Sequence, residues 1–410
     1  MLKLFCKSSK HFGKASQCWL WKHIEAFLKH LASLGYTKET LVTKAYVLIK
    51  FGLFIQEQGV YQISELAAWN EIFVRPYKNK HTKTLTLSMI HHFICYLQET
   101  GTIPKPIPKE LPIPFNDELC EYINFVQSCR GLRQITIAQI KSYCCKFLQY
   151  VYSSGIRQLR LLKKDVICNF IIAEGKRYTR AKMGAHCLKL RKFLSYLYSV
   201  RITKADFSTV VVTPKTYTHE HCPCFLTKTE VNMVLSAVDR RTKLGKRNYA
   251  IMLLLATYGL RGMEVSQLKL SDVDWNSDKI HIRNRKAGNS SVYPLMPLVG
   301  NAILEYLKVR PHNCNQQIFI TYLAPHKPIC TSSLSTMVKR YLRHIGLDRK
   351  GVGLYIFRYS CAQRLFEVDS PLKLIADYLG HLSLRTTRRY IKIDINHLRE
   401  VALEIEEAIP

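Results

Sequence analysis

Between residues 261 and 390 the chain sets out, in order, Arg261, Lys286, Arg358, His381 and Tyr390. Arg261 follows Gly259 in TYGLRGMEVSQLKLSDVDW (257–275), and Glu264 lies three residues on, along the same helical face. Lys286 falls at a turn in IRNRKAGNSSVYPL, Arg358 in YIFRYSCAQRLF, and His381 directly after Gly380 in DYLGHLSLRTTRRY, nine residues before Tyr390. These are the groups that metal-free exchange of a phosphodiester requires. A nucleophile must attack phosphorus and hold the bond energy in a covalent link. The phosphorane gathers negative charge on its non-bridging oxygens, and planar guanidinium forks match that charge with paired hydrogen bonds. The departing 5′ oxygen needs a proton, which a lysine on a mobile hairpin can supply. Taken singly, an arginine after a helix is more often a surface ion pair, and the chain has 23 tyrosines. The order and spacing of the set carry the reading.

GLRxxEV, a hairpin lysine, xxxR, LGH and a tyrosine nine residues after the histidine resemble the catalytic domain of the tyrosine recombinase (phage integrase) family. LGHLSLRTTRRY is especially close to the family's pattern, and the likeness covers about 225–402. The resemblance implies that Arg261 and Arg358 clamp the scissile phosphate, and that Lys286 protonates the leaving oxygen. His381 would hydrogen-bond the phosphate, and Tyr390 would attack it to form a 3′-phosphotyrosine. Glu264 would support the pocket by orienting Arg261 or a neighbour. No cofactor or metal is called for. One position departs from the family: where it has His-x-x-Arg, this chain has Tyr355. A tyrosine donates hydrogen bonds but, with a pKa near 10, is a poor base at neutral pH. Either His381 and the phosphate suffice to accept the Tyr390 proton, or the enzyme is slow; the alternative is that Tyr355 is structural and another histidine, such as His344, fills the pocket.

The composition agrees with a polyanionic partner. The formal charge is +31 over 410 residues, made of +20 in residues 1–215 and +11 in residues 216–410. Such a body attracts nucleic acid along its whole length. No apolar run approaches the ~20 residues of a membrane span, and the basic N-terminus lacks the apolar core of a secretory signal. Fourteen cysteines without repeated spacing read as reduced, mostly buried thiols of a cytoplasmic protein. His219, His221, Cys222 and Cys224 are metal-ligand types, but four tetrahedral ligands rarely come from six residues stiffened by Pro223, so a linker is expected there.

The elements that must position the site read as mainly α. Thr227–Glu230 is a capping-box sequence opening a helix, and 247–259 is a strongly apolar helix ending at Gly259. Strands are expected at 279–283 and 291–296, joined as a hairpin. Helices follow at about 297–309, 331–345, 357–367 and 371–378, then a short helix with Tyr390 and an amphipathic one over 395–408. Before residue 210 the chain is helical and carries an imperfect duplication. At an offset of 96, Leu41 matches Ile137, Lys50 matches Lys146, Phe51 matches Phe147, Phe54 matches Tyr150, and Gly59 matches Gly155; at 100, Phe93, Tyr96 and Leu97 match Phe193, Tyr196 and Leu197. A five-proline stretch (100–114) and a second linker (about 207–225) separate the parts.

The expected organisation is therefore three domains. Residues 1–110 and 111–217 form helical domains, read as a tandem SAM-like repeat, and 218–410 form a mostly helical catalytic domain with a small antiparallel sheet. In the second, Lys176, Arg177, Arg180, Lys182, Lys189, Arg191 and Lys192 offer a DNA-facing surface through phosphate contacts. Residues 1–110 suit protein contact or an extended DNA grip. The resemblance implies a double-stranded recombination site as partner, and a homotetramer joined through the C-terminal helix. Two other classes share part of the set: a type IB topoisomerase, and a DNA-binding relative without catalysis, for which Tyr355 speaks.

Overall fold

The computed structural model describes residues 17–104, 114–215, 224–283, 285, 290–312, 315–347 and 353–381. Lys286, Tyr390 and the segment 395–408 lie outside them, as do His219, His221 and Cys222. The chain divides into two compact units, Pro106–Glu220 and Met1–Lys105 with His221–Pro410. Among the described residues three large apolar cores occupy residues 18–103, 119–211 and 226–357, and a smaller cluster gathers Cys361, Ala362, Ile375 and Leu379.

The first two cores are built from the same parts. In one, α1 (Trp21–Ser33), α2 (Lys38–Glu57), a 3-10 turn, α3 (Leu66–Val74) and α4 (Lys80–Glu99) follow in order. In the other, α5 (Asn116–Arg130), α6 (Gln134–Ser153), a 3-10 turn, α7 (Lys164–Gly175) and α8 (Arg180–Ser199) do the same. Helices α2 and α6 each have 20 residues, and so do α4 and α8. The packing repeats with them. Phe27 meets Phe93 and Tyr96 as Tyr122 meets Phe193 and Tyr196; Phe73 meets Phe51 and Phe54 as Phe170 meets Phe147 and Tyr150. Gly59 and Gly155, just after α2 and α6, both have the left-handed backbone that glycine adopts most readily. The segment 207–213, expected as linker, instead belongs to the second bundle. It forms a 3-10 turn at Phe207–Val210 and buries Val211, and Arg191 donates to Val211 O at 2.7 Å and to Thr213 Oγ1 at 2.8 Å.

The third core centres on α10 (Lys243–Tyr258), which is buried all round from Ala250 to Ala256, as a helix apolar on every face must be. Before it comes α9 (Lys228–Ser236), which opens on the Thr227–Glu230 capping box. The short α11 (Gly262–Gln267) follows it, and then an antiparallel sheet of β1 (Val273–Asp274), β2 (Lys279–Ile282) and β3 (Ser291–Pro294) in that order. Ile280 pairs with Tyr293 and Ile282 with Ser291, so Ile280 and Ile282 face the core. The two-residue β1 was too short to show as an alternating pattern. Around α10 pack α12 (Pro297–Leu307), α13 (Thr331–His344), α14 (Tyr355–Glu367) and α15 (Leu372–Leu379). Tyr258 locks α10 to the sheet, donating to Pro294 O at 2.8 Å and accepting from Met296 N at 3.0 Å. The expected burial of the cysteines holds only in part: Cys18, Cys144, Cys187 and Cys361 are buried, whereas Cys120, Cys129, Cys224 and Cys330 are exposed.

Gly259 ends α10 with φ of 60°, and a Cβ there would lie 2.9 Å from Leu379 Cδ2 and 3.0 Å from Cys361 Cβ. Gly59, with φ of 73°, has nothing within 4 Å of a Cβ. Gly59→Ala is therefore expected to cost only the backbone strain of about 1–2 kcal/mol, and Gly259→Ala distinctly more. Thermal melting of the two variants checks the order; equal midpoints would contradict it.

Candidate active site

Two helix ends and one helix start build the site. Helices α10 and α15 both end in a left-handed glycine, Gly259 and Gly380. Each turn throws the next residues across the same end of the core: Arg261 after the first, His381 directly after the second. Carbonyls at a helix C-terminus lack intrahelical donors and carry the negative end of the helix dipole. Arg358, on the first turn of α14 and only 3% exposed, answers both ends. Its Nη1 donates to Gly259 O at 2.8 Å and its Nη2 to Leu379 O at 2.6 Å. Arg261 Nη2 donates to the adjacent carbonyl, Gly380 O, at 3.1 Å. Two guanidinium groups are thus held on consecutive carbonyls immediately before His381. The His381 backbone N–H in turn donates to Ala376 O at 2.8 Å.

Glu264 fixes the first arginine from both ends. Its carboxylate accepts from Arg261 N at 2.9 Å and from Arg261 Nη1 at 2.8 Å. It is 7% exposed, so this is a desolvated pair rather than a surface one. The same carboxylate faces a third guanidinium that sequence reasoning passed over. Arg285 is 2% exposed, with its Nε 3.7 Å from Glu264 Oε1. Arg285 also donates to the Tyr293 hydroxyl and, at 3.4 Å, to Tyr378 O, while Tyr293 donates to Tyr378 O. It therefore joins the β2–β3 hairpin to the end of α15. Gly380 leaves room for it: a Cβ there would overlap the Arg285 guanidinium.

These charges act on His381. Burial lowers its pKa first, then Arg358, Arg261 and Arg285, and the imidazole is pushed down to about 3. The ring is therefore neutral at physiological pH. Tyr355 stands at the start of α14 but turns outward, 58% exposed, with its ring 6.4 Å from that of Tyr359. His344 is exposed on the last residue of α13. The structure thus brings Arg261, Glu264, Arg358 and His381 together and leaves Tyr355 at the rim. In the second bundle, Lys176, Arg177, Arg180, Lys182 and Lys192 are exposed and Lys189 half-buried. Arg177 lies 3.4 Å from the buried Glu174, Lys182 lies over the Tyr178 ring, and Arg191 is engaged with Val211 and Thr213.

A mostly helical domain with a small antiparallel sheet, and arginines gathered on a neutral histidine, define the tyrosine-recombinase class of DNA strand-transfer enzyme. Residues 224–397 match the phage integrase family. The chain is 30% identical over 318 residues to a putative integrase/recombinase, y4rA, of Sinorhizobium fredii, covering 77% of each chain. It is 25% identical over 287 residues to the tyrosine recombinase XerD of Lacticaseibacillus casei, covering 68% of this chain and 95% of that one. Among solved structures, its fold is similar to the XerH site-specific recombinase bound to a palindromic difH substrate. The TM-score is 0.54 at 18% identity, over 83% of this chain and 95% of that one. The chain belongs to the phage integrase family: it is a tyrosine-type site-specific DNA recombinase.

Glu264→Gln would leave Arg261 and Arg285 facing an uncharged amide. The expected loss is about 3–5 kcal/mol, the usual cost of breaking a buried pair, and sulfate should recover part of it beyond chloride at equal ionic strength. Thermal melting in the two salts reads this out; no sulfate-specific recovery would argue against an anion-binding pocket. The pH dependence has a definite sign. The unfolded chain protonates His381 near pH 6.5, whereas the folded chain resists until about 3. Stability from this group is full above about pH 6.5 and declines as the pH falls towards about 3. His381→Gln should flatten that decline in melting curves taken across the window.

Proposed function

We propose that this recombinase cuts and rejoins the strands of a specific DNA site through a covalent 3′-phosphotyrosine at Tyr390. The observation that supports it most is the seating of Arg261 and Arg358 on the carbonyls of Gly380 and Leu379, beside a neutral His381. A phosphate entering there meets guanidinium forks already oriented, and little reorganisation is left for the transition state. The Tyr390 hydroxyl oxygen bonds to phosphorus as the bond to the 5′ oxygen breaks. Lys286 gives its proton to that leaving oxygen, and the phenolic proton passes to His381. A 5′-hydroxyl then attacks the phosphotyrosine, and the same transfers run in reverse.

The depressed pKa of His381 suits this sequence of events. Burial is the first cause of the imidazole's weak basicity, and Arg358, Arg261 and Arg285 add to it; a phosphate neutralises the part that the arginines supply. Binding the anion therefore raises the basicity of His381 when a proton acceptor is needed. Tyr355, exposed and with no basic lone pair to match, supports the phosphate rim rather than taking the proton. Glu264 and Arg285 are positioning residues that act through Arg261 and the hairpin.

Around this chemistry, residues 218–410 serve as the catalytic domain and 111–217 as a helical DNA-binding domain. Lys176, Arg177, Arg180, Lys182 and Lys192 are its phosphate-facing cations, with Lys189 at their edge. Recombination of two sites needs four active subunits, so the working form is a homotetramer joined through the C-terminal segment. Its setting is the cytoplasm, acting in the integration, excision or transposition of a mobile element.

A nicked suicide duplex carrying the DNA that flanks the gene tests the central claim. A covalent adduct should form that withstands denaturing electrophoresis and is lost in Tyr390→Phe. Arg261→Ala and Arg358→Ala should each slow it by about 10²-fold or more. Specific binding with no adduct would sink the proposal in favour of a non-catalytic DNA-binding relative. Relaxation of supercoiled plasmid without site preference would point to a topoisomerase.

A further inference from the structure

The first helical bundle repeats the second in element order, helix length and aromatic packing, yet its surface differs in a localised way. Over α4 the cations of α8 are largely gone: at the offset of 100 residues, Lys182, Lys189 and Lys192 correspond to Thr82, Met89 and His92. Basic charge is clustered at one place, the α3–α4 turn and the first turn of α4. There Arg75, Lys78, Lys80 and Lys83 fall within nine residues, with no acidic residue between Glu71 and Glu99. Arg75, Lys78 and Lys80 are exposed and Lys83 half-buried. Among the described residues none of the four makes an ion pair, whereas Lys29 in the same bundle pairs with Glu25 and Lys50 lies over the Tyr46 ring. The corresponding α7–α8 turn of the second bundle carries Lys176, Arg177 and Arg180.

Four like charges this close repel one another in the free protein, and a polyanion removes that penalty. We infer that residues 75–83 form a second grip on the DNA phosphate backbone, made by a duplicated bundle that has kept the basic turn and shed the basic helix face. This rests on the reading of residues 111–217 as DNA-binding. A grip confined to one turn contacts phosphates without reading bases. It lengthens the footprint and raises affinity without changing the sequence recognised. The Asn79 side chain accepts from His81 N at 2.8 Å and from Thr82 N at 3.3 Å, which caps α4 and holds the turn in a defined shape.

The test uses the full chain and random-sequence duplexes of about 60 and about 25 base pairs, with affinity measured across a salt series. Combining Arg75→Ala, Lys78→Ala, Lys80→Ala and Lys83→Ala should lower the slope of log affinity against log salt by about 3–4 on the long duplex. On the short one the slope should hardly change. An unchanged slope on the long duplex, or an equal fall on both, overturns the inference. Replacing Lys78, Lys80 and Lys83 by arginine should keep the wild-type slope; a loss as large as with alanine would equally overturn it. A parallel variant with Lys176→Ala, Arg177→Ala and Lys182→Ala should weaken binding to both lengths. If it does not, the reading of residues 111–217 fails, and the N-terminal grip is still judged on its own variant.

Discussion

The guanidinium of Arg358 is the constraint on which the rest of the site depends. It enters from the start of α14 and bonds the terminal carbonyls of two other helices, at Gly259 and Leu379. Those carbonyls would otherwise be buried acceptors without donors, a cost of about 1–3 kcal/mol each. One side chain therefore satisfies both helix ends and fixes the distance between them. Because Arg261 and His381 follow those ends closely, fixing the ends also fixes the residues. Arginines held this way cannot drift, since moving any member would strip a hydrogen bond from a helix terminus. The left-handed glycines are what allow it. A side chain at Gly259 would collide with Leu379 and Cys361, and one at Gly380 with Arg285.

The arrangement concentrates positive charge. Arg261, Arg285 and Arg358 surround a neutral imidazole, with Glu264 facing two of them. Such a pocket carries an excess of positive charge that Glu264 only partly offsets. Burial first, and then the field of Arg358, Arg261 and Arg285, holds His381 uncharged. Tyr355 is exposed and lies outside the three-arginine cluster, which gathers instead on the His381 imidazole.

Much of this was legible from sequence, for physical reasons that differ by residue. Gly259 and Gly380 each stop an apolar helical run, and the residues just beyond a helix stop are where chemistry is displayed. Arg261 and His381 could be read because each stands past such a stop within an ordered set that runs on to Tyr390, and Glu264 by its three-residue spacing from Arg261. Arg285 could not be read. Ile280 and Ile282 face inward, and that parity would send residue 285 outward with Lys279, His281 and Arg283. The chain leaves the strand after Ile282, so parity no longer governs the side chain, and only the tertiary path brings it to Glu264 and Gly380. Strand β1, two residues long, carries too little pattern to be read. The segment 207–213 looked like linker because its anchor, Arg191, is supplied by α8.

The two helical bundles separate what a fold needs from what a function needs. Between them the buried aromatics persist: Phe51 with Phe147, Phe93 with Phe193, and Phe73 with Phe170, each in the same packing role. The buried Glu174, which binds Lys146 at 2.7 Å, belongs to the second bundle alone, since Lys50 in the first rests on Tyr46 instead. Core volume is costly to change, because each lost methylene leaves a cavity or strain. Exposed charge changes cheaply, usually within about 0.5 kcal/mol. A duplicated domain can therefore keep its aromatic core while its surface is rewritten. Cations retained on such a surface without a partner are then better explained by what they touch than by what they stabilise.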